Sequence, residues 1–172
     1  SARELAEMMV GQALTPPERA LLATGEVVLQ VSGLSVTPSS GFGTSLKDLS
    51  FQVRKGEVLG IGGVAGNGQD ELLLALSGEL RSPPGAVSIL GRPVGNLGPN
   101  ARRAAGLLTG PEERLGHAAA PDMSLLENAL LTAEVRKSLT KRGFIDWPAT
   151  RRFAEEIIKT FDVRTPGTQT AA

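Results

Sequence analysis

The feature that most constrains this chain is a glycine-rich run, GVAGNGQDEL at residues 63–72, which lies between two apolar stretches. Gly63, Gly66 and Gly68 have the spacing of a phosphate loop. Such a loop needs glycine because its backbone must curl until several N–H groups point inward at phosphate oxygens. The positive end of the following helix reinforces that attraction. The spacing therefore predicts either a phosphate cradle or a tight turn from a strand into a helix.

The two residues after the last glycine depart from the complete phosphate-loop motif. That motif continues with Lys, which reaches the β and γ phosphates, and then with Ser or Thr, whose hydroxyl binds magnesium. Gln69 and Asp70 stand in those two places. Gln69 can donate a hydrogen bond but has no charge, and Asp70 can ligate magnesium, but Asp70 and Glu71 put two carboxylates at the helix start. The loop is shaped for phosphate and poorly charged for it.

The segments around the loop predict an α/β fold. Two β-rich runs at residues 27–31 and 49–53, separated by turn residues, predict paired antiparallel strands. The apolar run at 58–61 predicts a buried strand leading into the loop, and 71–76 predicts the helix after it. Short strands are predicted at 86–90 and 106–109.

The two ends of the chain are predicted to be helical. Residues 3–10 have the pattern of a short amphipathic helix, and the prolines that follow mark a linker, which places a boundary near Gly25. Ser124 and Glu127 have capping-box spacing, and Pro148 suits the first turn of a helix that begins near Trp147, a predicted packing residue. His117, the single histidine, is predicted to be a polar loop residue.

Composition excludes several classes of function. The 172 residues fit one domain of ordinary size, and 18 basic residues balance 18 acidic ones, so general nucleic-acid binding is disfavoured. The absence of Cys removes disulfides and thiolate metal sites and suits a reducing compartment, so a cytoplasmic location is the default expectation. No stretch has the length of a membrane span or the order of a signal peptide, so any link to a membrane is expected to run through a partner.

Four segments, in order, resemble one protein family. Residues 56–61 leading into 63–69 are similar to the second cassette of the sugar and nucleoside import ATPases of the ABC superfamily, which commonly lacks the Lys. Residues 3–6 with 9–11 resemble the end of the first cassette. Residues 111–114 resemble the loop after the next core strand, and 123–128 the entry to the helical subdomain. The resemblance covers nearly the whole chain.

The resemblance implies a fold and a domain division. The expected fold is a P-loop NTPase-like ABC cassette fragment, with an antiparallel β portion and the start of a helical subdomain. Residues 1–24 would be the end of a preceding cassette and its linker, and 25–172 a partial second nucleotide-binding domain. The family continues into its signature motif, an acidic strand and a switch His, and the chain stops before them, so we expect no catalytic residue and no ATP hydrolysis by this fragment.

The resemblance also implies ATP and Mg²⁺ as cofactors. The residues predicted to bind the nucleotide are Gly63, Ala65, Gly66, Asn67, Gly68, Gln69, Asp70, Glu71 and Phe42. The predicted magnesium ligands are Asp70 and Glu112. Phe42 would stack on adenine, or else pack under the loop. Glu112 stands where the family has Gln, and a solvated charged loop is its alternative.

For the parent protein, the resemblance implies an ATP-binding component that drives import of a sugar or nucleoside. Its expected partners are the first cassette and transmembrane permease subunits, with no nucleic acid and no direct membrane insertion. It would be peripheral on the inner face of the cell membrane. One alternative is a non-hydrolytic regulatory or dimer-scaffold module, and another is an ABC protein acting on ribosomes or DNA, which the neutral charge disfavours.

Overall fold

The computed structural model describes residues 8–9, 23–38, 43–113 and 116–171. Within these ranges the strands are β1 (Val27–Val36), β2 (Leu46–Arg54), β3 (Val87–Ile89), β4 (Arg92–Pro93), β5 (Thr140–Lys141) and β6 (Phe144–Ile145). The helices are α1 (Gln69–Ser77), α2 (Pro99–Ala104), α3 (Leu125–Ala133) and α4 (Trp147–Thr160), with a 3-10 turn at Pro84–Ala86. The predicted α/β fold class with an antiparallel sheet is confirmed.

An antiparallel sheet in the order β2-β1-β3-β4 forms one layer of the fold. Strand β1 is an interior strand because Val31 pairs with Phe51 of β2 on one side and with Val87 of β3 on the other. The predicted pairing of the first two β-rich runs is therefore confirmed. The strand predicted at 86–90 is also found, as the shorter β3.

Helix α1 packs against this sheet and completes the larger hydrophobic core. Leu72 and Ala75 of the helix are buried together with side chains of the sheet and its connections, which are Val31, Leu34, Val36, Leu46, Ala86, Val87, Ile89 and Val94. Burial of apolar area is the main stabilising term in such a core, at roughly 25 cal/mol per Å². The helix begins at Gln69, two residues before its predicted start. Gly68, the last glycine of the loop, is buried beside the core residue Leu46.

A buried arginine closes the other end of α1. The Arg102 side chain is fully buried and donates hydrogen bonds to the backbone carbonyls of Ala75, Leu76, Gly95 and Leu97. Two of these carbonyls lie in the last turn of α1, which carries the negative end of the helix dipole. Arg102 therefore ties α1 to the loop between β4 and α2, a role that no pattern in the sequence indicated.

Helices α3 and α4 form a second, smaller core. Leu126 and Ala129 of α3 pack against Ala154 of α4, with Phe153 and Ile157 partly buried beside them. The short hairpin of β5 and β6 connects the two helices. This part matches the predicted start of a helical subdomain.

The starts of both helices are capped as the sequence predicts. Ser124 and Glu127 form a complete capping box at α3, and Pro148 lies in the first turn of α4, which Asp146 caps. The backbone N–H of Leu125 also donates to the Thr170 carbonyl at 2.8 Å, so the segment near residue 170 closes over the start of α3. Trp147 begins α4 but is 43% exposed, so its predicted packing role is only partly met.

Two predicted strands are wrong. Residues 58–61 and 106–109 form no strand, and Val58, Ile61 and Leu108 are 95%, 53% and 52% exposed. A buried strand needs a neighbouring backbone that pairs with its N–H and C=O groups. In the described ranges no strand lies beside either run, so their apolar character alone does not make them strands.

Some predictions fall outside the described residues. Met8 and Met9 are helical and exposed, while the rest of the amphipathic helix predicted at 3–10 lies outside the described ranges. Phe42 and Arg114 also lie outside them. None of the helices in the described part of the chain is both long and apolar enough to cross a membrane.

Candidate functional site

The glycine-rich loop has the backbone shape of a phosphate cradle. Gly66 and Gly68 have φ angles of +83° and +103°, a left-handed conformation that L side chains rarely adopt. Gly68 is the N-cap of α1, and no side chain caps this helix start. The loop therefore curls directly onto the positive end of α1, as both the cradle and the tight-turn interpretations require.

The side chain of Gln69 folds back into this loop. Its Oε1 atom accepts a hydrogen bond from the Asn67 backbone N–H at 3.1 Å, and its Nε2 atom donates to the Val64 carbonyl at 3.1 Å. The Asn67 side chain donates to the same carbonyl at 3.0 Å. One of the N–H groups that a cradle offers to phosphate is therefore already bonded within the protein.

Glu71 anchors the β1–β2 connection to the loop. Its Oε1 atom accepts from the Thr44 backbone N–H at 2.8 Å, and the Thr44 hydroxyl donates to the Gly66 carbonyl at 2.8 Å. Glu71 was predicted among the nucleotide residues, and the structure gives it this bracing contact. Thr44 was missed because no local signal in the sequence links it to residues more than twenty positions away.

The two predicted magnesium ligands share one cleft. Asp70 and Glu112 both line a cavity of about 590 Å³ between α1 and the loop at 111–113, together with Glu113 and His117. No group of three His, Cys, Asp or Glu side chains in the described ranges could hold a metal ion. Mg²⁺ often binds through one or two carboxylates with phosphates and waters, so this pair alone makes an incomplete site.

His117 has a partner that the sequence did not reveal. Its Nε2 atom lies 3.1 Å from Oε2 of Glu79, the second residue after α1. Glu79 also accepts a hydrogen bond from the Ser77 hydroxyl at 2.9 Å. His117 is thus a polar loop residue, as predicted, and it connects the end of α1 to the loop that precedes α3.

The backbone of the glycine-rich loop has the shape that binds phosphate. The side chains around it, in the positions that the structure gives them, do not suit a phosphate ligand. The carboxamide of Gln69 takes the Asn67 N–H, and Asp70 places a carboxylate in the first turn of α1. Neither Lys nor Arg is among the described residues that line the cleft beside Asp70. Phosphate carries negative charge, so this arrangement lacks the electrostatic attraction that such a ligand needs.

Comparison with known proteins identifies close relatives, although no family model matches the chain. The guanosine import ATP-binding protein NupO of Bacillus subtilis is 34% identical over 170 residues, covering 98% of this chain and 33% of the relative. The nucleoside import ATP-binding protein NupA of Lactococcus lactis is 32% identical, covering 96% and 33%. The ribose import ATP-binding protein RbsA 1 of Rubrobacter xylanophilus is 35% identical, covering 95% and 32%. The chain is homologous to import ATP-binding proteins.

The match confirms the predicted resemblance to sugar and nucleoside import ATP-binding proteins. The relatives act in sugar and nucleoside import by their names and match nearly the whole of this chain. The chain in turn spans about a third of the length of these relatives. The antiparallel sheet followed by α1 is consistent with the N-terminal portion of an ABC cassette of the P-loop NTPase class.

Proposed function

We propose that this chain is part of the second nucleotide-binding cassette of an ABC import ATPase, and that its glycine-rich loop is a degenerate nucleotide site. In this proposal residues 1–24 end the preceding cassette and residues 25–172 begin the second one. The observation that carries the proposal is the curled loop on α1 with Gln69 and Asp70 in the places of Lys and Ser or Thr. The homology to import ATP-binding proteins supports it.

The proposed nucleotide is ATP with Mg²⁺. Gly66, Gly68 and the start of α1 form the backbone part of the site, and Asp70 with Glu112 supplies the only carboxylate pair we assign to magnesium. Gln69 replaces a cation by a neutral amide, so we expect weak binding. Phe42 remains the predicted adenine contact, and no residue of this chain is assigned a catalytic role.

The proposed partners are a first cassette and transmembrane permease subunits. The chain would lie at the inner face of the cell membrane through the permease, without inserting into the bilayer. Guanosine, nucleoside, glucose and ribose appear in the names of the relatives. They support a sugar or a nucleoside as the class of transported solute. Co-purification of the parent protein with a permease tests this part of the proposal.

A second candidate function is a non-hydrolytic regulatory or dimer-scaffold module. The bonded state of the Asn67 N–H favours it, because this donor of the loop has a partner within the protein without a nucleotide. Calorimetric titration with ATP and Mg²⁺ separates the two functions. Weak saturable binding that is lost in Gly66→Val, which cannot keep the left-handed backbone, supports the nucleotide site. Binding to neither this chain nor its longer parent supports the scaffold.

A further inference from the structure

We infer that Gln69 is an internal ligand of the glycine-rich loop, and that any phosphate must displace its carboxamide to enter. The inference deepens the proposed function, and only its consequence for nucleotide affinity rests on that function. The carboxamide joins Asn67 to Val64 through one accepted and one donated hydrogen bond. Gln69 therefore spans the loop from one side to the other.

The packing of the carboxamide supports the same conclusion. A Cβ atom added at Gly63 would overlap Nε2 of Gln69, so the amide lies directly against the first glycine of the loop. The Val64 carbonyl accepts from both Gln69 and Asn67, at 3.1 and 3.0 Å. These contacts place the carboxamide inside the curl of the loop, where a cradle would hold its phosphate oxygens.

The chemistry of the side chain explains why this position matters. A Lys ammonium has three donors and no acceptor, whereas a Gln carboxamide has both. Lys at position 69 could bond the Val64 carbonyl but could never accept from the Asn67 N–H. Replacing Lys by Gln therefore does more than remove a charge, because it introduces an acceptor that competes with phosphate for a backbone donor.

The closed loop should lower the apparent affinity for phosphate ligands. The affinity of a site that is open only part of the time falls by its open fraction. One neutral hydrogen bond typically shifts such an equilibrium by about fivefold, and two by more than about tenfold. The loop at 63–68 is then a phosphate site that Gln69, the first residue of α1, keeps closed.

Amide hydrogen exchange in the 172-residue chain tests this directly. In Gln69→Lys, which has no acceptor, and in Gln69→Met, whose thioether sulfur is only a weak one, exchange of the Asn67 N–H should rise by about fivefold or more. In Gln69→Glu, which keeps an acceptor oxygen, it should stay within about twofold of the unchanged chain. The Leu72 N–H, which bonds to the Gly68 carbonyl in α1, reports whether the helix is intact. Unchanged Asn67 exchange in the Met and Lys variants overturns the inference.

A measurement on the unchanged chain covers the case in which a variant unfolds. Nuclear Overhauser contacts should join the Gln69 side-chain amide protons to Val64, and their absence also overturns the inference. Titration of all variants with ATP and Mg²⁺ tests the proposed nucleotide site separately from the internal ligand. If Asn67 opens as expected but no variant binds nucleotide, the internal ligand stands and the nucleotide role fails. If Asn67 is unaffected and the unchanged chain binds ATP, the nucleotide role stands and the internal ligand fails.

Discussion

Arg102 is a buried cation that has no acidic partner among the described residues. Burial lowers the pKa of its guanidinium because desolvation disfavours the charged form. The cost is offset by donation to four backbone carbonyls, some of them at the negative end of α1. Hydrogen bonds to charged groups contribute more than neutral ones, at roughly 1.5 to 3 kcal/mol each. Arg102 is therefore a structural residue that fixes the end of the helix behind the loop.

We expect Arg102→Met to destabilise the chain by about 3 kcal/mol or more, because it leaves buried carbonyls without a donor. Arg103→Met, at the neighbouring and more exposed position of α2, is the matched control and should cost less than about 1 kcal/mol. Urea unfolding followed by circular dichroism measures both. Equal losses in the two variants would show that the four hydrogen bonds contribute little.

The carboxylates that cap the starts of α3 and α4 make the stability of these two helices sensitive to acid. The pKa of Glu127 lies below its ordinary value because the backbone N–H and then the hydroxyl of Ser124 donate to it. The pKa of Asp146 is lowered first by the hydrogen bond from Lys141 and then by the Ala149 N–H. A carboxyl whose pKa is lowered by folding stabilises the fold above its unfolded pKa and loses that contribution as pH falls.

The stability of the chain should therefore decrease as pH falls below about 4.5, the ordinary pKa of a glutamate carboxyl. Glu127→Gln removes one of the titrating caps, so its stability should depend less on pH over the same acid range. Glu155→Gln on the exposed side of α4 serves as the control. Urea midpoints measured from pH 7 to pH 3 test this, and identical acid slopes for Glu127→Gln and the unchanged chain would refute the assignment.

Most of the helices and strands were predicted from signals within a few residues of each other. The errors concern features that depend on contacts between residues far apart in the sequence. Capping chemistry at Ser124 and the glycine spacing before α1 act within a few residues, so they can be seen in the sequence. The strand predicted at 58–61 was wrong because a strand depends on a pairing partner elsewhere in the chain. Thr44 and Arg102 act through contacts with residues far along the chain. The fold of the Gln69 side chain was missed because residue type predicts hydrogen-bonding capacity and not its direction.

At the scale of the whole molecule, the described residues contain two hydrophobic cores. The larger core supports the glycine-rich loop, and the smaller one holds α3 against α4. The contact between His117 and Glu79 joins the segment after α1 to the loop that precedes α3. Among the described residues, we assign no base and no cation near the glycine-rich loop to phosphoryl transfer.

We therefore expect the 172-residue chain to release no phosphate from ATP above the background of a buffer control. The reason is that Gln69 and Asp70 replace the groups that hold the β and γ phosphates and magnesium. Phosphate release should be measured in the unchanged chain and in Gly66→Val after identical purification. Steady release that disappears in the Gly66→Val protein would contradict this expectation, since a contaminating ATPase would act equally in both samples.

The degenerate phosphate site is tested most directly by the affinity of Gln69→Lys combined with Asp70→Ser for ATP with Mg²⁺. The change adds a cation, removes a carboxylate, supplies a hydroxyl and releases the Asn67 N–H. One regained charged hydrogen bond at about 1.5 kcal/mol tightens binding about tenfold. Calorimetry at equal salt and magnesium should show at least this increase. Unchanged or weaker binding in a folded double variant would mean that the loop is only a tight turn.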